Sequence, residues 1–348
     1  MVAMGVDLGD LAVKHAIPLD SLSGKIVAMD SYNVLYQFLA SIRQEDGTPL
    51  ADYKGNVTAH LSGLFYRTVK LLENGVRPVY VFDGPPHRLK GRTQRERSEV
   101  KRKAEELWKE ALAGERFEDA RKYAQATSRL TPDMVAEAKS LLTAMGIPHV
   151  QAKSDAEAEA AMMVQKGLAY ATASQDYDAI LFGSPILVRN LSITGRRKVP
   201  RQDRYVIVEP EEIRLEETLS SLGITRERLV FIGLLIGTDF NQGVKRVGPK
   251  TALKIVKETK SLDELISYVK LKYDYQFEVD AEEVMEIFLN PAYAEPQKLV
   301  WKDPDTAAIT KLLVDDHDFS AERVGSSLEN LKKIMKEKGA QSKLDEWM

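Results

Sequence analysis

Seven carboxylates stand where a metal-dependent enzyme needs them, and most follow short apolar runs. The runs Lys25 to Met29 and Pro78 to Phe82 lead directly into Asp30 and Asp83. In an open α/β sheet, ligands bind outside the carboxyl ends of the strands, so carboxylates from distant parts of the chain can meet there. Grouped carboxylates repel each other and retain protons unless hard divalent cations such as Mg²⁺ lie among them. The candidate metal ligands are Asp30, Asp83, Asp155, Glu157, Asp176, Asp178 and Asp239.

The acidic segment 154–159 has two interpretations. Ser154, three residues before Glu157, has the spacing of a helix capping box, which is a structural arrangement. Alternatively, Asp155 and Glu157 open a helix whose N-terminus faces the sheet edge where the other carboxylates arrive. Glu159 lies one turn beyond Asp155, and we expect it to stand behind the ligands or in solvent.

Asp176 and Asp178 are separated by one residue, so both side chains of an extended segment would point to one side. Such a pair alone is a weak signal, because it also occurs in phosphatases, in glycosyltransferases and by chance. Gly84-Pro85-Pro86 ends the preceding strand abruptly and leaves Asp83 at its tip. The joint placement of these carboxylates, and not any one of them, favours a metal site.

The composition excludes several classes of site. The chain of 348 residues has no cysteine, so it has neither disulfides nor a zinc site built on thiolates. With five histidines, a histidine-rich metal site is a poor expectation. The N-terminus lacks the regions of a signal peptide, and no apolar run is long enough to span a bilayer. We therefore expect a cytoplasmic protein with no membrane partner.

Strand and helix patterns alternate over the first two thirds of the chain. We predict strands at 25–29, 78–82, 148–151, 169–173, 186–189 and 205–208, and helices at 31–42, 57–74, 131–145 and 155–166. This alternation predicts an α/β fold with a mostly parallel central sheet flanked by helices. After about residue 225 the patterns are helical, with a capping-box spacing from Ser261 to Glu264.

The segment 88–129 is highly charged and predicts one or two exposed helices, with breaks at Gly91 and Gly114. Between Arg88 and Lys103 it has eight basic and two acidic residues. Lys90 and Arg97 lie seven residues apart, so they share one helical face, from which they can act on a phosphodiester near the metals. The alternative is a solvated pair of surface helices.

The segment from Gly243 to Thr251 nearly matches a phosphate-binding loop of nucleotide hydrolases. Pro249 stands before the lysine and removes a backbone N–H group that such a loop needs. A helix–hairpin–helix at about 230–260, which offers N–H groups and basic side chains to a DNA phosphate, is the better interpretation.

Two aromatic features have both a binding and a core interpretation. Tyr36 follows Asp30 on the first predicted helix and could stack on a nucleobase, whereas Phe38 better suits core packing. At the C-terminus, Leu344 and Trp347 form an apolar plug on a polar tail and could dock as one helical turn.

Long motifs along the whole chain resemble the flap endonuclease family of the XPG superfamily, and most closely its archaeal branch. They are Met29-Asp30, Tyr36-Gln-Phe-Leu39, Phe65-Tyr-Arg-Thr68, Pro78-Val-Tyr-Val-Phe-Asp-Gly84, Ala173-Ser-Gln-Asp-Tyr-Asp178, Leu181-Phe-Gly-Ser-Pro185 and Gly248-Pro-Lys250. The resemblance implies a PIN-like nuclease core that hydrolyses DNA near single-strand/double-strand junctions. It also implies removal of 5′ flaps in replication (Okazaki fragment maturation) and repair, with 5′–3′ exonuclease activity.

The resemblance assigns two Mg²⁺ ions, which Mn²⁺ could replace, to the seven carboxylates. Asp30, Asp83 and Asp178 receive catalytic roles, as do Lys90 and Arg97, which match the basic pair that approaches the scissile phosphate. The family usually has Glu at position 155, so we expect the shorter side chain of Asp155 to weaken or shift one metal contact.

DNA contacts are implied around this site. Residues 88–130 match a helical arch that a single-stranded 5′ end threads, and 243–250 match a hairpin that grips duplex, often with K⁺. Tyr36 matches the aromatic residue that stacks on the nucleotide beside the cut. The predicted DNA-binding residues are Tyr36, Arg43, Arg67, Lys245, Arg246, Gly248 and Lys250.

The C-terminal tail 341–348 resembles a box that binds the sliding clamp (PCNA). Met348 replaces the final aromatic residue of that box, and this replacement bears on the clamp affinity and not on the contact itself. The matching residues are Gln341, Leu344, Trp347 and Met348. Before this tail we predict one nuclease domain, 1–340, of a monomeric protein. Its parts are an N-terminal nuclease region (5–130), an internal nuclease region (131–260) and a C-terminal helical region (261–340).

Three other functions are compatible with parts of the sequence. A 5′ exonuclease or a bubble- or junction-cutting relative would share the same carboxylates. A catalytically silent DNA- and clamp-binding scaffold would not need seven intact acidic positions. A metal phosphatase built around Asp176 and Asp178 would leave the basic helices and the hairpin without a role.

Overall fold

A seven-stranded sheet forms the middle of the protein in a computed structural model that describes residues 5–44, 46–114, 116–198, 205–295 and 298–345. The strands are β1 (His15–Ala16), β2 (Ile26–Asp30), β3 (Arg77–Phe82), β4 (His149–Gln151), β5 (Ala171–Ala173), β6 (Ile186–Arg189), β7 (Gly195–Lys198), β8 (Tyr205–Val208) and β9 (Glu211–Arg214). The sheet order is β1-β9-β6-β5-β2-β3-β4. The five strands from β6 to β4 in this order are parallel to one another. At one edge, β9 pairs antiparallel with β6, and β1 pairs antiparallel with β9.

The predicted α/β fold with a mostly parallel sheet is confirmed. All strands predicted before residue 190 are present, and they pair in parallel. The strand predicted at 205–208 also forms, but it pairs with β7 in a separate two-stranded sheet and adds nothing to the parallel one. Strands β1 and β9 were not predicted, because both are short and β9 reads Glu-Glu-Ile-Arg, with little apolar pattern.

Helices cover both faces of the sheet and follow one another after β9. They are α1 (Ser31–Ser41), α2 (Ala59–Glu73), α3 (Gly91–Ala113), α4 (Phe117–Gln125), α5 (Pro132–Ala144), α6 (Ala156–Gln165), α7 (Asp178–Leu181), α8 (Leu215–Leu222), α9 (Arg226–Ile236), α10 (Pro249–Glu258), α11 (Leu262–Tyr273), α12 (Ala281–Leu289), α13 (Thr306–Thr310) and α14 (Ala321–Asp345). The predicted helix starts are confirmed at Thr131 and Ser261, whose side chains accept hydrogen bonds from Met134 N and Glu264 N. Among the helices of the described residues, none is long and apolar enough to cross a membrane.

Alternation along the strands divides the apolar side chains between two sides of the sheet. Val27 and Met29 point to one side, where they share a core with residues of α1, α2, α5 and α14. Ala28 points to the other side, where it packs with Ala156 and Ala160 of α6. Burial of each large apolar side chain contributes about 1.5–3 kcal/mol, so the two cores fix where each strand ends.

A largely buried group of acids and histidines, which we call the histidine cluster, links four segments of the chain. It consists of Asp52, His60, Glu137 and His317. His317 Nδ1 lies 3.1 Å from Asp52 Oδ2, and its Nε2 lies 3.5 Å from Glu137 Oε1. His60 Nε2 lies 3.0 Å from Glu137 Oε2. The cluster therefore ties the loop before α2, α2 itself and α5 to the turn before α14.

Helix α14 carries the chain into the predicted clamp-binding tail. The backbone of Gln341 and Leu344 is helical, whereas Trp347 and Met348 lie outside the described residues. The contacts of the tail, and the division of the chain at residue 340, stay predictions.

Candidate active site

The carboxyl ends of the parallel strands bring the predicted carboxylates to one place. Asp30 is the last residue of β2, Asp83 follows β3, and Asp176 lies three residues after β5. A cavity of about 500 Å³ opens beyond these strand ends. All seven predicted carboxylates and both predicted basic side chains line it: Asp30, Asp83, Asp155, Glu157, Asp176, Asp178, Asp239, Lys90 and Arg97. We call the seven acidic residues the carboxylate site.

Helix N-termini hold the two strand-end aspartates. Asp30 Oδ1 accepts a hydrogen bond of 3.1 Å from Asn33 N and so caps α1. Asp83 Oδ1 accepts one of 2.7 Å from Ala156 N at the start of α6. Free backbone N–H groups at a helix N-terminus favour negative charge, so the turn from strand to helix orients each carboxylate.

Helix α6 presents its first turn to the cavity, and the capping-box alternative is not realised. Asp155, not Ser154, is the residue that precedes the helix, and its side chain makes no capping hydrogen bond. Asp155 and Glu157 both line the cavity. Glu159 is buried outside it, where its Oε2 accepts a hydrogen bond of 2.8 Å from Ala294 N.

The pair Asp176 and Asp178 reaches the cavity by a different backbone path from the one expected. Residues 175–177 form a bend, and Asp178 is the first residue of α7, so the expectation of an extended segment was wrong. Asn33 Nδ2 donates to Asp176 Oδ2 at 2.9 Å, and Val6 N donates to Asp178 Oδ1 at 2.7 Å. These contacts, and not strand alternation, turn both carboxylates inward.

Lys90 and Arg97 supply positive charge on the wall that faces the strand ends. Lys90 directly precedes α3, and Arg97 lies within it. Lys90 Nζ pairs with Asp155 and lies 3.8 Å from Asp239 Oδ2, while Arg97 Nη2 donates to the other oxygen of Asp239. The prediction that both basic side chains share one face is confirmed, since both contact Asp239.

Burial and mutual repulsion govern protonation of the carboxylate site. Burial, followed by repulsion from neighbouring carboxylates, raises the pKa of Asp30 and of Asp178 to about 7 and that of Asp176 to about 8. The same two causes raise the pKa of Glu157 well above its ordinary value. The direction of these shifts agrees with the expectation that grouped carboxylates retain protons when no cation lies among them.

The donor atoms suit hard divalent cations. All seven side chains offer oxygen, which Mg²⁺ prefers. Glu157 Oε1 is buried and has no hydrogen-bond partner among the described residues. Such an atom is costly unless a ligand satisfies it. As the described side chains stand, no three Asp, Glu or His residues could hold a metal ion directly. Lys90 and Arg97 instead balance part of the negative charge.

Comparisons with known proteins decide the family. Residues 4–104 match the XPG N-terminal domain, and residues 146–239 match the XPG I-region. Flap endonuclease 1 from Pyrococcus furiosus is 51% identical over 345 residues, with 99% of each chain covered. The solved flap endonuclease-1 from Methanococcus jannaschii is 41% identical, with 96% of this chain and 100% of that chain covered and a TM-score of 0.76.

The chain belongs to the flap endonuclease family.

Membership in the flap endonuclease family makes the protein a structure-specific nuclease of DNA. Flap endonuclease 1 from Aeropyrum pernix is likewise 51% identical over 351 residues, with 99% of each chain covered. The catalytic core of Rad2 in complex with DNA substrate has a TM-score of 0.68 over 91% of this chain. At 23% identity, that likeness shows a common fold alone.

The charged segment forms two packed helices, as predicted, which we call the arch helices, α3 and α4. Gly91 begins α3 and does not break it, whereas Gly114 ends it. Buried alanines lie along both helices: Ala104, Ala111, Ala120 and Ala124. The first turns of α3 line the cavity, so a purely solvated surface pair does not describe this flap endonuclease.

Tyr36 lies at the mouth of the site, and Phe38 lies in the core. Tyr36 lines the cavity, and Lys101 Nζ of α3 stands 4.5 Å from the centre of its ring. Phe38 is 4% exposed and packs so closely against Gly63 that a Cβ atom there would lie 2.2 Å from its ring. The interpretation of Phe38 as a core residue is confirmed, and base stacking by Tyr36 stays a prediction.

Helices α9 and α10 form the predicted helix–hairpin–helix. Gly243 permits its tight turn, because a Cβ atom at that position would lie 2.2 Å from Ile236 O. Pro249 is the first residue of α10, which agrees with rejection of a phosphate-binding loop. The four residues predicted to meet DNA here are exposed: Lys245, Arg246, Gly248 and Lys250.

Arg43 and Arg67, also predicted to bind DNA, use their guanidinium groups within the fold. Arg43 donates to two backbone carbonyls and to Ser128 Oγ. Arg67 Nη2 donates to two backbone carbonyls in the turn at 191–194, each at 2.8 Å. Their positions fix loops, and contact with DNA stays a prediction for both.

Sequence reasoning missed several residues that line the cavity, among them Tyr32, Asn33, Thr93 and Ser98. Asn33 lies three residues after Asp30, a spacing that puts both on one side of the first helical turn. Thr93, Arg97 and Lys101 recur at intervals of four, which also marks one helical face. The backbone contact from Val6 to Asp178 has no such local signal.

Proposed function

We propose that the carboxylate site binds two Mg²⁺ ions, with Mn²⁺ able to replace them, and hydrolyses a phosphodiester beside the junction of a 5′ flap. One observation carries the proposal. Seven carboxylates and two basic side chains from six separate segments line one cavity on a chain of the flap endonuclease family. The divalent cations, when bound, would lower the pKa of an attacking water and stabilise the attacking and leaving oxygens.

The chain's own residues position the phosphate. Lys90 and Arg97 reach the cavity from the arch helices and pair with Asp155 and Asp239. When a scissile phosphate enters the cavity, Lys90 and Arg97 exchange their carboxylate partners for phosphate oxygens. There they stabilise the negative charge that develops on the phosphate. Once released from Lys90 and Arg97, Asp155 and Asp239 would be available to hold the divalent cations. The products are a 5′-phosphate and a 3′-hydroxyl.

The surroundings of the cavity select branched DNA. The single-stranded 5′ end passes the arch helices, and Tyr36 stacks on the nucleotide beside the cut. The exposed basic residues of the helix–hairpin–helix grip the backbone of the duplex, with K⁺ as a further ligand. The same site removes nucleotides from a free 5′ end as a 5′–3′ exonuclease. These activities serve replication, including Okazaki fragment maturation, and repair.

The helical C-terminal tail is the proposed contact with the sliding clamp (PCNA). Gln341 and Leu344 lie on the helix that ends the described chain, and Trp347 follows. An apolar and aromatic turn on a polar tail suits an apolar groove of a partner. We further propose that the protein acts as a monomer in the cytoplasm.

Cleavage of an end-labelled double-flap DNA in Mg²⁺, with and without a bulky block on the 5′ end, tests the proposal. We expect one endonucleolytic product at the junction, which is lost on blocking and in EDTA. Cleavage that is unaffected by the block would contradict threading of the 5′ end past the arch helices. Binding with no cutting would favour a scaffold, and hydrolysis of a small phosphate ester in place of DNA would favour a phosphatase.

A further inference from the structure

Asn33 is a buried amide that touches two separate parts of the carboxylate site. It is 7% exposed and lies in the first turn of α1. Its backbone N–H donates to Asp30 Oδ1 at 3.1 Å, and its side-chain Nδ2 donates to Asp176 Oδ2 at 2.9 Å. Its Oδ1 accepts a hydrogen bond of 3.2 Å from Gln175 N. One residue thus links the end of β2 to the bend after β5.

The chemistry of the amide suits this position. An Asn side chain offers a donor and an acceptor on one short planar group, and here the donor meets a carboxylate while the acceptor meets a backbone N–H. An aspartate at this position would place a further negative charge against Asp176. An alanine would leave Gln175 N and one oxygen of Asp176 without these partners.

Other contacts hold the same bend but do not reach the Asp176 carboxylate. Arg189 Nε donates to Gln175 O at 3.0 Å, and its Nη1 donates to Tyr177 Oη at 2.6 Å. The guanidinium also lies over the Tyr177 ring at 4.3 Å. Arg189 therefore anchors the bend through Gln175 and Tyr177, and Asn33 supplies the side-chain hydrogen bond to the Asp176 carboxylate.

We propose that Asn33 is a positioning residue that orients the Asp176 carboxylate relative to Asp30 and thereby sets the affinity of the site for divalent cations. The proposal rests on the metal site proposed above. Hydrogen-bond partners that orient metal ligands usually change metal affinity or activity by about 10–100-fold when they are removed. Asn33 has the geometry of such a partner, since its amide donates directly to a candidate ligand.

Binding of Mn²⁺ to the full-length protein without DNA, followed by electron paramagnetic resonance, tests the proposal. For Asn33→Ala we expect the dissociation constant of at least one Mn²⁺ to rise by about 10–100-fold. Asn290→Ala is the matched control, because Asn290 Nδ2 also donates to a carboxylate, that of Glu286 at 3.0 Å, but on the surface. The control should bind Mn²⁺ as the wild type does. In Asn33→Ala, half-saturating Mg²⁺ for cleavage should rise by a similar factor.

A second Asn33 variant and a double-mutant cycle with Asp176→Asn complete the test. Asn33→Ser replaces Asn33→Ala if the latter does not fold, and its shorter side chain cannot span both partners. In an Asp176→Asn background, Asn33→Ala should change Mn²⁺ affinity far less than in the wild type, since the carboxylate on which Asn33 acts is gone. Wild-type affinity in both Asn33 variants, or an equal loss in both backgrounds, would overturn the proposal. Failure of the wild type to bind Mn²⁺ would instead remove the proposed metal site, and this inference with it.

Discussion

The carboxylate site and the histidine cluster are both largely buried groups of ionisable side chains, but their charges are arranged in opposite ways. In the histidine cluster, acids and histidines alternate along the series Asp52, His317, Glu137 and His60, with neighbouring atoms 3.0 to 3.5 Å apart. In the carboxylate site, seven acids converge on one cavity and the two basic side chains stand on one wall. Each acid of the histidine cluster has a histidine partner, whereas most acids of the carboxylate site have other acids as neighbours.

The pKa values follow this difference. Burial alone raises the pKa of Asp52, but hydrogen bonds from Asn56 and His317 outweigh it and bring the value down to about 2. A hydrogen bond from His60, acting against burial, lowers the pKa of Glu137. In the carboxylate site the shifts run upward, to about 7 or 8. Acids with lowered pKa values stabilise the fold through their charges, whereas a group of acids with raised pKa values favours a functional site.

Substitution of Asp178 should have the largest effect on activity. Asp178 is a proposed metal ligand, and loss of such a ligand removes several kcal/mol of transition-state stabilisation, so Asp178→Asn should lower single-turnover cleavage by about 1,000-fold or more. The affinity for flap DNA in EDTA should stay near that of the wild type, because the basic residues are intact. Simultaneous loss of cutting and binding would contradict the assignment.

Substitution of His60 should have the largest effect on stability. The side chain is fully buried, and its loss leaves a cavity and removes a partner of Glu137. His60→Ala should therefore lower the free energy of unfolding by about 2–3 kcal/mol in urea titrations. The exposed pair of His15 and Glu217 gives the control, and His15→Ala should change stability by less than about 0.5 kcal/mol. Equal stability of the two variants would contradict a stabilising role for the histidine cluster.

Neutralising one acid of the carboxylate site should stabilise the metal-free protein. The pKa of Asp176 in the folded state lies far above its ordinary value of 3.8, so the folded state holds a proton that the unfolded state releases. The resulting destabilisation is absent below about pH 4 and grows until the pH reaches about 8. Asp176→Asn should raise the free energy of unfolding in EDTA by about 1–2 kcal/mol at pH 8.5, and by less at pH 5. Destabilisation at pH 8.5 would contradict the account.

Neutralising an acid of the histidine cluster should instead destabilise the protein, and we expect this change in stability to be the smallest of the four effects. Asp52 has a lowered pKa in the folded state, so its charge stabilises the protein above its ordinary value of 3.8 and ceases to do so as the pH falls toward 2. Asp52→Asn should therefore lower the melting temperature at pH 7, and the difference from the wild type should vanish near pH 2. A difference that persists at pH 2 would show that the charge is not its source.

The local sequence was sufficient to predict the position of a side chain when its own strand or helix sets that position. The apolar runs before Asp30 and Asp83 fix two strands by their burial, and a polar residue that ends such a strand must lie at the sheet edge. The turn before Pro249 and the face shared by Lys90 and Arg97 are likewise local. Each of these features appears in the structure where the sequence pattern predicts it.

Contacts between segments that are distant in the sequence could not be predicted from local sequence patterns. β1 pairs with β9 nearly two hundred residues later, and neither has an apolar pattern of its own. The histidine cluster joins Asp52 to His317, and the hydrogen bond from Val6 to Asp178 spans 172 residues. Local periodicity cannot specify such pairs, because they form only when packing of the cores brings the segments together.

A crystal structure with Mn²⁺, in which anomalous scattering locates the ions, tests the central claim most directly. We expect two peaks inside the cavity, about 4 Å apart, with the Lys90 ammonium moved away from Asp155. The histidine cluster should hold none, because its acids already have partners. Peaks at the histidine cluster, or a cavity without Mn²⁺ while Lys90 stays on Asp155, would contradict the claim that the carboxylate site is built to bind divalent cations.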